Sequence, residues 1–303
     1  MSNDPNAETR TMSVVTRLAE RLSVDMTGAR ILHQHSNAVI ALPVPGWVVR
    51  IASAPDALDR ITQSVRVTGW LADQGFPCVI PVSGIDQPLV VDGSVVSLWH
   101  FVPATPPAGQ AGAALGHLLR RLHHQPLLPF PLPWFDDPFD DVSAAVRQAP
   151  DAMTAASRSW LLSRLDGLGR QWPLLPFTRR WALIHGDAHP NNLLHTPDGP
   201  ILADWDHTAI GPREWDLAQI HYTRRRFGRP TAAEADSFAA AYGWDIRTWD
   251  SLDTVIAARE ITGLSPYIRN AHRSDFARAE LASRLSMLAD GDALTRWTSP
   301  AST

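Results

Sequence analysis

The chain has 303 residues, of which 45% are hydrophobic, with a formal net charge of −4 and one cysteine, Cys78. This is enough apolar material for two lobes or one large domain, and the charge balance leaves no electrostatic footprint for nucleic acid. One cysteine permits neither an internal disulfide nor a cysteine metal cage. No apolar run approaches the roughly 18 residues of a membrane span, and the polar Met1 to Thr11 lacks a secretory core, so a cytoplasmic protein with no membrane partner is expected.

In chain order, Val14, Val15, Leu18 and Leu22 recur at helical spacing and predict an amphipathic helix over 12–23. "ILHQHSNAVIALP" and "WVVRIAS", separated by the turn signal "VPG", predict a hairpin over about 31–53. Leu58, Ile61, Val65, Thr68 and Leu71 share one face of a helix that stops at Gly75. "CVIPVSG", "PLVV" and "SVVSLWHFV" complete a small sheet of about five strands.

The Pro-rich "PATPPAG" then marks an inter-lobe hinge at 103–109, dividing a β-rich 1–102 from a helix-rich 110–303. "AGAALGHLLRRLHHQ" opens the second part. In "PLLPFPLPWFDDPFDD" the acids admit a site for a cationic substrate. They also read as a helix start, with Asp137 as N-cap, Pro138 at the first position and Asp140 and Asp141 in the first turn. Helices are expected over 151–172, 213–226, 231–242, 250–270 and 274–289, with β segments at "WALIHGD" and "GPILADWDHTAI". Arg224 to Arg226 read as a solvated helix end. The tryptophans read first as packing residues.

The chemistry concentrates in "ALIHGDAHPNNLLH". One reading is a metal-dependent hydrolase with His185, Asp187 and His189 as ligands. That reading leaves Asn192 and the downstream "DWD" without a role. The second uses them all: Asp187 precedes Asn192 by five positions, and Asp204 follows after a short β hairpin, the spacing of a kinase catalytic loop and its metal-binding aspartate. Phosphoryl transfer asks for a carboxylate to take the hydroxyl proton and for oxygen ligands on Mg2+, which prefers Asp and Asn oxygens to imidazole. Asp187 is then the base, Asn192 and Asp204 are the metal ligands, and His185 braces the loop. All 27 basic residues are arginine, so no step can use a lysine.

Together, "LIHGDAHPNNLL", "ILADWD" and "GPREWDLA" resemble the Brenner-type signature of the aminoglycoside phosphotransferase and choline kinase-like superfamily. The resemblance implies an α+β, bilobal, protein-kinase-like fold with a small β-rich N-lobe and a larger, mostly helical C-lobe. It implies ATP or GTP as donor, Mg2+ as cofactor and a small-molecule hydroxyl as acceptor, antibiotic, amino alcohol or sugar among them. His189 takes the place where protein kinases have a phosphate-contacting lysine. Asp206 supports a second metal or the substrate side, and Asp216 looks like the aspartate that steadies the catalytic loop.

In the N-lobe, Ser36 and Asn37 fall in the nucleotide-covering loop, although an ordinary turn accounts for them equally. Trp99, His100, Phe101 and Val102 match the adenine-binding hinge, or form a core strand. Two departures stand out. Arg50 replaces the phosphate-anchoring lysine, and Ser64 stands where the partner glutamate is expected. Arginine still clamps phosphate bidentately, but its orientation must come from elsewhere, with Asp59 or Ser64 as candidates. The absent Lys–Glu pair keeps open a second function, a nucleotide-binding pseudokinase or regulatory module.

Overall fold

The computed structural model describes residues 5–34, 37–52, 57–103, 105, 111–177 and 181–298. The chain separates into two compact units, Met1–Gly109 with Asn191–Thr208, and Gln110–Pro190 with Ala209–Thr303. Its elements run α1 (Pro5–Leu22), β1 (Arg30–Gln34), β2 (Asn37–Leu42), β3 (Trp47–Ala52), α2 (Ala57–Asp73), β4 (Leu89–Val91), β5 (Ser94–His100) and α3 (Ala111–Leu122). They continue with α4 (Asp140–Gln148), α5 (Ala155–Gln171), β6 (Ala182–Ile184), β7 (Leu193–Thr196), β8 (Gly199–Leu202), β9 (Ala209–Gly211) and α6 (Arg213–Phe227). The last are α7 (Ala232–Tyr242), α8 (Leu252–Thr262), α9 (Ser265–Asn270) and α10 (Asp275–Ala289).

The first unit is built on an antiparallel sheet of order β1-β2-β3-β5-β4. Alternation along β5 explains its two-sided burial. Val96 and Leu98 pack with Val14, Val15 and Leu18 of α1, whereas Val95 joins Ala57 and Ile61 of α2. The expected single hairpin over 31–53 is three strands, because "ILHQHSNAVIALP" divides into β1 and β2. "CVIPVSG" forms no strand. It makes only isolated bridges, Cys78 to Leu202 and Pro81 to Trp99.

Helix α2 ends with Gly75 at φ +68°, the left-handed region that glycine enters freely. Its buried face is Ala57, Ile61, Ser64, Val67, Thr68 and Leu71, so the predicted stripe holds at 61, 68 and 71 while Leu58 is exposed. The β7–β8 hairpin docks through Val79 N–H to Leu202 O (3.1 Å) and Leu202 N–H to Pro77 O (3.0 Å). Of the expected hinge, only Pro103 and Thr105 are described residues, and Thr105 N–H donates to His195 O (2.7 Å).

In the second unit α6 is the central element. Ten of its residues are buried, including Glu214 to Tyr222 without interruption, as for a helix covered on all sides. Arg226 is buried and bonded to Glu260 (2.6 Å), so the arginine run is not simply a solvated end. Helices α3 and α7 approach closely because α3 offers glycines: a Cβ on Gly116 would stand 2.5 Å from Phe238 O, and one on Gly112 would stand 2.2 Å from Glu234 O. The expected 250–270 helix breaks into α8 and α9 around Gly263, with Pro266 in the first turn of α9.

Helix α4 begins later than predicted: Asp137 Oδ1 accepts from Phe139 N–H (2.7 Å) in a turn before it, and Phe139 is the N-cap. Of these acids, Asp141 is held by Arg269 (2.5 Å) of α9. Segment 133–135 pairs with β9 through Ile210 N–H to Pro133 O (3.0 Å) and Phe135 N–H to Ile210 O (2.8 Å). This seats Phe135 among Trp172 and Trp215, with ring centroids 6.2 and 4.7 Å away. No helix among the described residues is long and apolar enough to cross a membrane.

Candidate active site

Asp187, His189, His185 and Asp216 belong to the second unit. After β6 the chain turns through Gly186 at φ +85°, which presents successive amides inward. Asp216, in the first turn of α6, receives His185 N–H at Oδ2 (2.8 Å) and Gly186 N–H at Oδ1 (2.9 Å). His123 Nε2 reaches the same Oδ2 at 3.1 Å, while its Nδ1 lies 2.9 Å from the Tyr242 hydroxyl.

Burial pushes His123 below the usual histidine value despite Asp216, so it is neutral at pH 7. Since an ionised carboxylate only accepts, Nε2 carries the proton and Nδ1 accepts from Tyr242. Burial raises the Asp216 carboxyl, but the His123 hydrogen bond and the influence of His185 outweigh it and hold the group below its ordinary value. The expected loop-steadying contact of Asp216 is therefore made directly to the backbone.

The carbonyl side of the loop is held as well. Trp215 Nε1–H donates to Gly186 O (2.9 Å). Arg259, buried on α8, donates to Trp215 O (2.7 Å) and lies 3.9 Å over the Trp215 ring. Burial lowers Arg259 to about 10 against the attraction of Asp187 and Asp216, so it remains a cation at neutral pH. Gln219 Nε2–H donates to Asp187 Oδ1 (2.8 Å), and His189 Nε2 is 3.5 Å from Asp187 Oδ2. His185 is fully buried, and its Nδ1 accepts from Asp187 N–H (3.3 Å). The Nδ1 of this ring is thereby engaged by the backbone of its own loop.

The first unit contains the other set. Arg50 on β3 forms a two-pronged bond with Asp206, both arms at 2.6 Å, and its Nη2 also reaches Asp204 Oδ1 at 3.1 Å. This corrects the expectation that Asp59 or Ser64 orients Arg50. Ser64 is buried, and its carbonyl accepts from Thr68 Oγ1–H (2.7 Å). Burial pulls the Arg50 guanidinium down, but the bonds and charges of Asp206 and Asp204 more than reverse it.

Trp205 explains the arrangement: its buried ring points into the unit, donates Nε1–H to Leu202 O (3.0 Å) and meets Phe76 edge-on at 5.8 Å. The flanking carboxylates thus lie toward Arg50. Asp204 has φ +64°, a conformation that aspartate tolerates better than most residues. Asn192 is tied to the same segment by Ala203 N–H to its carbonyl (2.9 Å).

Of the expected nucleotide-contacting residues, Ser36 lies outside the described residues, and Asn37 opens β2 opposite Ala52. Trp99 is a core residue with its Nε1–H bonded to Ser97 Oγ (2.9 Å). His100 N–H donates to Ile80 O (2.9 Å) and Phe101 N–H to Gly46 O (2.8 Å), so neither amide is free to donate to a base. Val102 N–H has no partner among the described residues. Sequence reasoning passed over His123, Gln219 and Arg259. Gln219 alone carried a signal, lying three positions after Asp216 on the same helix.

Residues 27–254 match the model of the phosphotransferase enzyme family, APH. Among solved structures, the chain is similar to amicoumacin kinase hAmiN in complex with AMP-PNP, Ca2+ and Ami, with 15% identity, coverage of 98% of both chains and a TM-score of 0.70. It is similar to a choline/ethanolamine kinase family protein from Mesorhizobium loti, with 16% identity, coverage of 91% of this chain and 95% of that one, and a TM-score of 0.65. It also resembles APH(2")-IIia, solved with GDP and kanamycin, with 16% identity, coverage of 93% and 99%, and a TM-score of 0.63. These likenesses establish a shared fold, and the match over 27–254 of 303 residues places the chain in the APH phosphotransferase enzyme family, as a small-molecule kinase by class.

Proposed function

We propose that the chain moves the γ-phosphate of ATP or GTP to a hydroxyl of a small molecule, with Asp187 as the base that takes the hydroxyl proton. The observation that carries this reading is the placement of Asp187. Its side chain is 34% exposed, Gln219 fixes Oδ1, and Oδ2 lies beside His189, all on a loop whose backbone Asp216 holds. A carboxylate so oriented is ready to receive a proton without reorganising. His189 supplies a donor beside it for the transferred phosphate.

Asn192 and Asp204 would hold Mg2+. Amide and carboxylate oxygens are the hard donors this ion takes, and the Asp204 side chain is 47% exposed. When bound, the ion neutralises charge on the nucleotide phosphates. Arg50 provides a permanent cation for those phosphates, and Asp206 orients it in place of a helix glutamate. Residues 1–102 would cover the nucleotide, with the Val102 amide as a donor for the base, 103–109 would serve as hinge, and 110–303 would carry the catalytic loop and acceptor site. A cytoplasmic location suits a nucleotide-consuming enzyme.

The test is a nucleotide-consumption screen against hydroxyl acceptors grouped by chemistry. Mg2+-dependent turnover with at least one group is expected, reduced about 10²–10⁴-fold in Asp187→Asn while nucleotide binding persists. Nucleotide binding without turnover across the panel would replace the proposal with the pseudokinase reading, and tight stoichiometric zinc with the hydrolase one.

A further inference from the structure

A cavity of about 610 Å3 lies in the second unit, bounded by the end of α6, the start of α7, α8 and the segment around 293–296. Its size suits a small organic ligand. Although the chain has a net charge of −4, this wall contains four arginines, Arg224, Arg225, Arg247 and Arg296, and no carboxylate among the described residues that line it.

Two of the four are neutralised from outside the wall: Arg225 by Asp253, and Arg247 by Asp236 and Asp245, both at 2.7 Å. Arg224 and Arg296 have no carboxylate partner among the described residues. The Arg296 guanidinium is laid on Gly228, where an added Cβ would meet its Cζ at 2.3 Å.

The wall also contains His221, 8% exposed, whose Nε2 is buried with no hydrogen-bond partner among the described residues. An unsatisfied ring nitrogen in such a place is costly and calls for a ligand or water. Burial, then the nearby Arg247 charge, push this imidazole down to about 4, so it is neutral and can offer Nε2–H to an anion. Apart from Thr231, the rest of the lining is apolar or glycine, with Leu252, Ile256 and the 92% exposed Leu294. The cavity is not an extension of the Asp187 loop. Gln219 faces Asp187, and His221, two residues later, is turned about 200° around the helix.

We propose that this cavity binds an organic phosphate monoester. Its dianionic head would lie against the two uncompensated guanidiniums and His221, and its apolar body against Leu252, Ile256 and Leu294. Two unpaired cations match the two charges of a phosphate monoester, and guanidinium geometry matches its oxygens.

The test is calorimetric titration of the full chain with phenyl phosphate, inorganic phosphate and phenol. Phenyl phosphate should bind saturably and more tightly than either of the others. The Arg224→Ala/Arg296→Ala variant should lose at least about tenfold in affinity, and His221→Phe a few-fold. Both arginines are exposed, so this variant should unfold at the wild-type temperature. Asp187→Asn should bind as wild type, and excess nucleotide should not displace the ligand. Four results would each overturn the proposal: no saturable binding, affinity unchanged in the double variant, displacement by nucleotide, or equal affinity for inorganic phosphate.

Discussion

Replacing Asp216 with asparagine isolates the contact on which the 185–187 loop depends. The carboxylate accepts three hydrogen bonds in a fully buried place, from His185 N–H at 2.8 Å, Gly186 N–H at 2.9 Å and His123 Nε2–H at 3.1 Å. Asparagine keeps the shape but only one acceptor oxygen. In its best orientation that oxygen keeps His185 and His123, and the new amide group then faces Gly186 N–H, donor against donor. An orphaned buried donor costs about 1–3 kcal/mol, and loss of charge from the remaining bonds adds about 1 kcal/mol, giving roughly 3 kcal/mol in all. For a unit of this size that is a fall in Tm of about 6–12 °C. Thermal and urea unfolding followed in parallel by circular dichroism and tryptophan fluorescence would measure it. A loss below about 1 kcal/mol, or one no larger than that of Asp198→Asn on the exposed β7–β8 turn, would refute the network as a stabilising element.

Stability should also fall as pH drops below about 6.5. His221 and His123 have folded-state values below the unfolded histidine value, so the unfolded chain takes up protons that the folded one refuses. Their contribution is complete above about 6.5 and is lost as pH falls through the folded values, about 4 for His221, where it amounts to roughly 3 kcal/mol. Asp216, itself depressed, extends the loss below the ordinary carboxylate value. Urea unfolding at pH 7, 6 and 5 checks this, and equal midpoints would contradict it. Asp206→Asn should raise the nucleotide KM about tenfold and leave the acceptor KM within about twofold, because the neutral side chain no longer clamps both arms of Arg50; equal changes in both constants would argue against that role. Gly116→Ala should destabilise by about 1–3 kcal/mol, since its methyl group would meet the Phe238 carbonyl. Unfolding midpoints would show it, and a neutral result would mean that α3 and α7 can separate at little cost.

Features that depend on near neighbours are legible in the order of residues. Helical periodicity located the cores of α1 and α2, the helices expected over 151–172, 213–226, 231–242 and 274–289 match α5, α6, α7 and α10, glycine marked where α2 stops, and the steps from Asp187 to Asn192 and Asp204 exposed a kinase-like order. Each is a short-range constraint imposed by φ/ψ geometry or by chemistry at fixed chain spacing. Alternation alone did not reveal that "ILHQHSNAVIALP" is two strands or that "CVIPVSG" bridges without forming one, because apolar runs do not specify their partners. Which charges are paired became visible in the folded chain alone. Arg50 meets Asp206 across 156 positions, His123 meets Asp216 across 93, and Gln219 meets Asp187 across 32. A buried cation or carboxylate must find an opposite charge or a donor wherever the fold brings one, and that choice depends on proximity in space, which residue order does not encode locally.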